Sequence, residues 1–194
     1  MTSKREIIEM VNSVTIDREV VVTTGVGSHQ QLAARYFTWD YPKRQLITSA
    51  GHGTMGFGLP AAIGAQIANP NALVICFNGD GSANMDLNHL PTLTEYNLPV
   101  KVIVLDDSSF GIVRQFEDLS SYENVATIRT NPDFAEIARA SKVWGFNMEG
   151  FEESAGQWTI LLNCDRPVLI HCKVDDFGTW PILEGGKKEM TDEH

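Results

Sequence analysis

Positive charge is scarce in this chain: 15 lysines and arginines stand against 25 aspartates and glutamates, a formal net charge of −10 over 194 residues. That balance argues against a nucleic-acid partner, whose phosphates are held by Lys and Arg. Long apolar runs are missing too. None approaches the roughly eighteen residues of a membrane-spanning helix. Met1 to Met10 is polar and charged and carries no secretory signal, so the expectation is a cytoplasmic protein with no membrane partner. Cysteine is limited to Cys76, Cys164 and Cys172, with no CxxC spacing. All three fall in apolar patterns and are expected to be buried free thiols in a reducing compartment. Internal repeats, low-complexity tracts and long linkers are also lacking.

What is present is an apolar fraction of 43%, enough at this length for one domain with a real core. Lys4 to Val14 places Ile7, Ile8 and Val11 at helical spacing, and Glu19 to Thr24 is a β-branched strand that stops at Gly25-Val26-Gly27. The loop after it holds Ser28, His29 and Gln30. A histidine there is either structural or a ligand contact. Helices are expected at Gln31 to Phe37, Gly58 to Ala68, Met85 to Tyr96, Phe110 to Phe116, Asp133 to Trp144 and Glu152 to Asn163. Strands are expected at Leu46 to Ser49, Leu73 to Phe77, Val100 to Leu105 and Pro167 to Val174. This alternation predicts an α/β fold, a single three-layer domain with a parallel sheet and helices on both faces, over residues 1–186, and a polar tail over residues 187–194. Four glycines between Gly51 and Gly58 suggest that a ligand or a second backbone comes very near. Pro91, inside the Met85 to Tyr96 pattern, should kink or split that helix at a cost of about 3 kcal/mol.

Two stretches carry chemistry. Asn78-Gly79-Asp80-Gly81-Ser82 sits where a strand ends and a helix begins, and Val102 to Leu105 is a second buried strand that ends in Asp106-Asp107. Glycine there lets a phosphate approach outward-pointing backbone N–H groups. One strand–helix–strand unit separates Asp80 from Asp107, so both carboxylates can share the carboxyl edge of a parallel sheet. Mg²⁺ favours such a supply, with carbonyls, water and phosphate completing its octahedron. Taken singly, the two stretches also read as a turn and a solvated strand end.

Gly79-Asp80-Gly81 followed by a polar pair closing a hydrophobic strand resembles the thiamine-diphosphate enzymes. The flanks are more similar still to the catalytic subunit of acetolactate synthase: Thr24 to Gln30, Met55 to Ala65, Glu95 to Lys101 and Phe110 to Gln115 run in family order. The resemblance implies thiamine diphosphate and Mg²⁺ as cofactors. It implies Asp80, Asp107 and the carbonyl of Ser109 as metal ligands, and diphosphate contacts at Gly27, His29, Gly81 and Ser82, with Val26, Ser28 and Gly53 in the same cofactor site. Met55 would be an apolar wedge beneath the cofactor, core packing being the competing reading, and Phe110, Gly111, Ile112 and Val113 a wall beside it.

Three positions depart from the family. Asp107 replaces the usual asparagine; the added charge near a diphosphate costs on the order of 3 kcal/mol at about 6 Å and predicts more strongly metal-dependent cofactor binding. Phe116 replaces a tryptophan of the acceptor pocket, and Pro91 an alanine. The catalytic glutamate that starts the family's proton relay belongs to a separate pyrimidine-binding domain, and nothing here resembles it. With Met1 at one end and Trp180-Pro181-Ile182 and Gly185-Gly186 near the other, the expectation is a separate subunit that needs a pyrimidine-domain partner in an α2β2 assembly. The resemblance then implies a decarboxylase of a small 2-oxo acid such as pyruvate that passes the two-carbon unit to an acceptor carbonyl. Two alternatives stand beside it: a simple 2-oxo acid decarboxylase of the sulfopyruvate or phosphonopyruvate type, and a non-catalytic cofactor-binding module.

Overall fold

The structure, a computed structural model, describes residues 2–120, 123, 130–149 and 154–175. Its first helix, α1 (Lys4–Val14), starts at a capping box: the Ser3 hydroxyl accepts from the Glu6 N–H while the Glu6 carboxylate accepts from the Ser3 N–H. Two of the helix's orphan donors are thereby satisfied. After it come β1 (Val20–Thr24), α2 (Ser28–Tyr36), β2 (Arg44–Ile47), α3 (Gly58–Ala68), β3 (Leu73–Gly79), α4 (Asp80–Asp86) and α5 (Leu90–Glu95). The remainder is β4 (Lys101–Asp106), α6 (Gly111–Leu119), α7 (Phe134–Ala140), β5 (Trp144–Asn147), α8 (Ala155–Asn163) and β6 (Val168–Lys173).

All six strands pair in parallel, in the order β2-β1-β3-β4-β6-β5. Parallel strands need both faces covered, and the alternation of side chains supplies two cores. Val20, Val22, Ile75, Phe77, Ile103 and Leu105 face α1, α2 and α8. Val21, Val74, Cys76, Val102 and Val104 face α3, α5 and α7. The period of two within each strand is what separates these sets. Gly145 lets β5 lie against α7, since a Cβ there would stand 2.1 Å from the Ala135 carbonyl oxygen.

The order of strands also fixes where a ligand can bind. From β1 the chain goes outward to β2, then crosses back so that β3 pairs with the other side of β1. The crevice at the carboxyl ends of β1 and β3 is therefore the switch point at which open α/β sheets take ligands.

The expected α/β architecture is present, with differences in detail. Helix α2 begins at Ser28, so His29 lies in a helical first turn and not in a loop. Helix α4 begins at Asp80, well before the expected Met85, and the Met85 to Tyr96 segment is split: a 3₁₀ turn (Leu87–His89) divides α4 from α5. Pro91 falls in the first turn of α5, where no intrahelical bond is lost, so the expected 3 kcal/mol does not arise. The helix expected up to Trp144 ends at Ala140, and Trp144–Asn147 is an edge strand that the pattern did not announce. Of the cysteines, Cys76 and Cys172 are buried but Cys164 is only half-buried. Among the described residues no helix is long and apolar enough to cross a membrane. Trp180 to Ile182, Gly185, Gly186 and the tail at 187–194 lie outside the described residues.

Candidate functional site

Three chain turns meet at the switch point and enclose a cavity of about 190 Å³. The turn after β1 brings Val26, Gly27, Ser28 and His29; the turn after β3 brings Asp80, Gly81 and Ser82. The turn after β4 brings Asp107, Ser109, Phe110, Gly111, Ile112 and Val113, and Gly53 and Met55 come from the glycine-rich connection before α3. All fifteen residues singled out in the sequence line this one cavity. Lys4, Gly79 and Leu105 line it as well.

Each turn has a local cause. Gly27 caps α2 at φ 147°, a conformation that side chains rarely adopt. The Ser82 hydroxyl accepts from the Val26 N–H at 3.0 Å and donates to the Val26 carbonyl at 3.2 Å. It thus ties the first turn to the second, and its proton is already committed. Asp106 folds the third turn: its Oδ1 accepts from the Ser108 N–H at 2.8 Å and holds Ser108 at φ 54°. The next carboxylate repeats the device, Asp107 Oδ1 accepting from the Ser109 N–H at 3.0 Å. Of the four glycines between 51 and 58, Gly58 meets a second backbone, since a Cβ there would stand 2.8 Å from the Gly25 nitrogen. Gly53 and Gly56 have positive φ, and Gly51 faces open space.

The electrostatics are those of an acid pair with, among the described residues, Lys4 as a compensating cation. Burial pushes Asp80 up to about 6, with the nearby Asp107 and Asp106 charges adding to it and a hydrogen bond from Asn131 opposing it. Asn131 Nδ2 reaches Asp80 Oδ2 at 2.6 Å and Asp106 Oδ1 at 2.7 Å. Burial alone would raise Asp106, but hydrogen bonds from His171, Ser108 and Asn131 hold it below the usual carboxylate range. His29 is driven down to about 3 by burial and by the charge of Lys4. It is therefore neutral, and because its Nε2 accepts from the Gly79 N–H at 3.2 Å its proton sits on Nδ1. Lys4 Nζ pairs with Asp107 Oδ2 at 2.5 Å, the two side chains being 2% and 4% exposed. The extra charge of Asp107 is thus matched within the site.

The residues present fit a metal-bound diphosphate. Among the described residues no group of three or more His, Cys, Asp and Glu is placed to hold a metal, so an ion here would rest on two carboxylates, a carbonyl and ligand oxygens, the supply that Mg²⁺ prefers. Gly81 keeps the floor open: a Cβ there would stand 2.8 Å from the Phe110 ring and 3.1 Å from the Met55 methyl. Asn131, His171 and Lys4 were not singled out from the sequence; only the fold brings Asn131 to Asp80 and Asp106, His171 to Asp106, and Lys4 to Asp107.

An acid pair, a glycine floor and a buried ammonium at the carboxyl edge of a parallel sheet are the fittings of a domain that binds a phosphorylated cofactor. Comparison with known proteins specifies which. Residues 25–172 match the family described as thiamine pyrophosphate enzyme, C-terminal TPP binding domain, and the chain belongs to it. Thiamine diphosphate is accordingly its cofactor. The chain is 40% identical over 171 residues to the acetolactate synthase isozyme 2 large subunit of Escherichia coli, covering 87% of this chain and 31% of that protein. It is 40% identical over 184 residues to the mitochondrial acetolactate synthase catalytic subunit of Saccharomyces cerevisiae, covering 93% and 27%. With a probable acetolactate synthase large subunit of Methanococcus aeolicus the identity is 32% over 186 residues, covering 95% and 31%. The chain therefore spans less than a third of the length of these relatives.

Proposed function

We propose that this chain is the diphosphate- and Mg²⁺-binding part of a two-chain, acetolactate synthase-like enzyme that decarboxylates a small 2-oxo acid such as pyruvate and passes the acyl unit to an acceptor carbonyl. The observation that carries the reading is the gathering of all fifteen motif residues around one cavity, with two carboxylates from adjacent parallel strands. When bound, thiamine diphosphate supplies the stabilisation of negative charge that loss of CO₂ from a 2-oxo acid requires.

This chain's own residues hold and orient. Asp80, Asp107 and the Ser109 carbonyl bind the metal. Gly27, His29 and the backbone N–H groups of Gly81 and Ser82 contact the diphosphate, the Ser82 hydroxyl being occupied by Val26. Met55 and Phe110, whose side chains meet over Gly81, form the apolar floor and wall that exclude water, together with Gly111, Ile112 and Val113. No proton-transfer step is assigned to this chain. The glutamate that the family uses comes from a pyrimidine-domain partner in an α2β2 assembly.

Two features support that partner. A cavity of about 190 Å³ is smaller than the roughly 300–1,000 Å³ of a complete small-molecule site, so part of the cofactor must be covered from elsewhere. Exposed apolar side chains also continue from it along α6: Val113, which lines the cavity, is 46% exposed, and Phe116, one turn further on, also 46%. The free cysteines support a cytoplasmic setting. The decisive experiment reconstitutes the chain with a partner carrying the pyrimidine domain and follows pyruvate consumption and 2-acetolactate formation with thiamine diphosphate and Mg²⁺. Release of CO₂ with acetaldehyde as the sole product would replace carboligation with simple decarboxylation. Absence of any turnover with every 2-oxo acid tried would leave a binding module.

A further inference from the structure

We infer that the Ser109 hydroxyl is a further ligand of the diphosphate: a donor with no partner in the chain itself, which pairs with a phosphate oxygen of the metal-bound cofactor. This rests on the thiamine diphosphate reading above, in which only the carbonyl of Ser109 takes part. Ser109 lies in the turn after β4, 3% exposed, and lines the cavity. Its N–H is held by Asp107 Oδ1 at 3.0 Å. Its Oγ is buried and makes no hydrogen bond. Thr24, Gln66 and Asn78 also carry a buried oxygen without a partner, but none of them lines the cavity; among the described residues Ser109 is the one that does both.

An unpaired hydroxyl in a protein interior is costly, and folded chains hold few of them. Ser82 shows the ordinary outcome: its hydroxyl accepts from the Val26 N–H and donates to the Val26 carbonyl, and so has no proton left for a ligand. Ser109 differs in that nothing holds its hydroxyl proton. Rotation about Cα–Cβ breaks no hydrogen bond of this group, so an acceptor arriving in the cavity that the residue borders can take it. The acceptor this site suits is an anionic phosphate oxygen, and a hydrogen bond to an ionised acceptor is about twice as strong as one between neutral groups. The metal is the lesser candidate, since two carboxylates and a carbonyl already offer it protein oxygens. Strands β3 and β4 are neighbours in the sheet, so the backbone N–H groups of Gly81 and Ser82 after one strand and the Ser109 hydroxyl after the other can bind the same diphosphate.

The test reads stability and binding separately. The 194-residue chain and its Ser109→Ala variant are unfolded in urea without ligand, and each is titrated calorimetrically at saturating Mg²⁺ with thiamine diphosphate and then with inorganic diphosphate. Saturating metal keeps any change at the Ser109 carbonyl out of the comparison. Ser109→Ala is expected to leave the urea midpoint unchanged or raised, because it removes a hydroxyl that the chain does not pair. It is expected to bind both probes at least about tenfold more weakly, the contribution of one charge-assisted hydrogen bond. Unchanged affinities would overturn this inference alone. A lowered midpoint would also overturn it, since the hydroxyl would then be paired within the fold. Wild-type protein that takes up neither probe at millimolar concentration would overturn the diphosphate site and this inference with it.

Discussion

Asn131 holds Asp80 by a single amide hydrogen bond of 2.6 Å, and the same nitrogen reaches Asp106 at 2.7 Å. Asp106 in turn faces His171 Nε2 at 2.8 Å. The carboxylate proposed to take the metal is thus oriented by a chain of buried polar groups that begins on β6. Outer partners of this kind fix the direction of a ligand's lone pairs, and their loss costs about 10- to 100-fold in metal affinity. Asn131→Leu, which removes the donor and keeps the volume, is expected to weaken Mg²⁺ binding by that factor while the unfolding transition of the described fold persists. Mg²⁺ titration in the presence of thiamine diphosphate measures it. An unchanged metal affinity would show that Asp80 is positioned by its own backbone.

Two glycines predict opposite failures. At Gly58 a Cβ would stand 2.8 Å from the Gly25 backbone nitrogen and 3.1 Å from Cys76 Sγ. Neither the turn after β1 nor a core strand can yield cheaply, so Gly58→Ala is expected to lower stability by about 1–3 kcal/mol, as overpacking does. At Gly81 the Cβ would meet the Phe110 ring and the Met55 methyl, side-chain ends and not backbone, which can shift at lower cost. Gly81→Ala is therefore expected to leave the urea midpoint nearly unchanged and to weaken thiamine diphosphate binding. Measuring both quantities for both variants tests the pair; a Gly81→Ala protein that binds normally would place the cofactor away from this floor.

The elements legible in the sequence were those with an apolar period, a run of small residues after a glycine turn, or a polar residue at the boundary. The helical spacing of Ile7, Ile8 and Val11 announced α1, and α3 was bounded as expected; Asp133 accepts from the Glu136 N–H and marks the start of α7. The starts of α2 and α4 were misplaced because their caps, Gly27 and Gly79, make no side-chain bond and their first turns, Ser28-His29-Gln30 and Asp80-Gly81-Ser82, are polar and glycine-containing like a loop. Strand β5 escaped notice for a related reason: the break before it is made by Lys142 at φ 62°, a residue that does not advertise a left-handed turn. The cavity itself was legible, since its motifs are local. Its charge balance was not. Lys4 and Asp107 are 103 positions apart, and the cost assigned to Asp107 from sequence omitted the cation that only the packing of α1 against the sheet delivers.

Asp86 offers a pH-dependent test of the fold that is independent of the metal. It lies at the end of α4, buried, and accepts from the Leu59 N–H at 3.1 Å and from Asn78 Nδ2 at 2.9 and 3.1 Å, so it joins the first turn of α3 to β3. Burial raises it to about 6, from an ordinary value of 3.8, with the Asn78 and Leu59 bonds opposing the rise. Between these two values the folded chain keeps a proton that the unfolded chain has released. Stability from this group is therefore present below about pH 4, falls as pH rises toward 6, and is level above that. A rise of this size corresponds to on the order of 3 kcal/mol. In chelator, the stability of the wild type minus that of Asp86→Asn, taken from urea unfolding at pH 4, 5, 6 and 7, is expected to decrease by that order across the interval. Asp80, which titrates in the same range, is common to both proteins and cancels in the difference. A difference that stays constant from pH 4 to 7 would mean that Asp86 is as easily ionised in the folded chain as in the unfolded one, and that its three hydrogen bonds offset its burial.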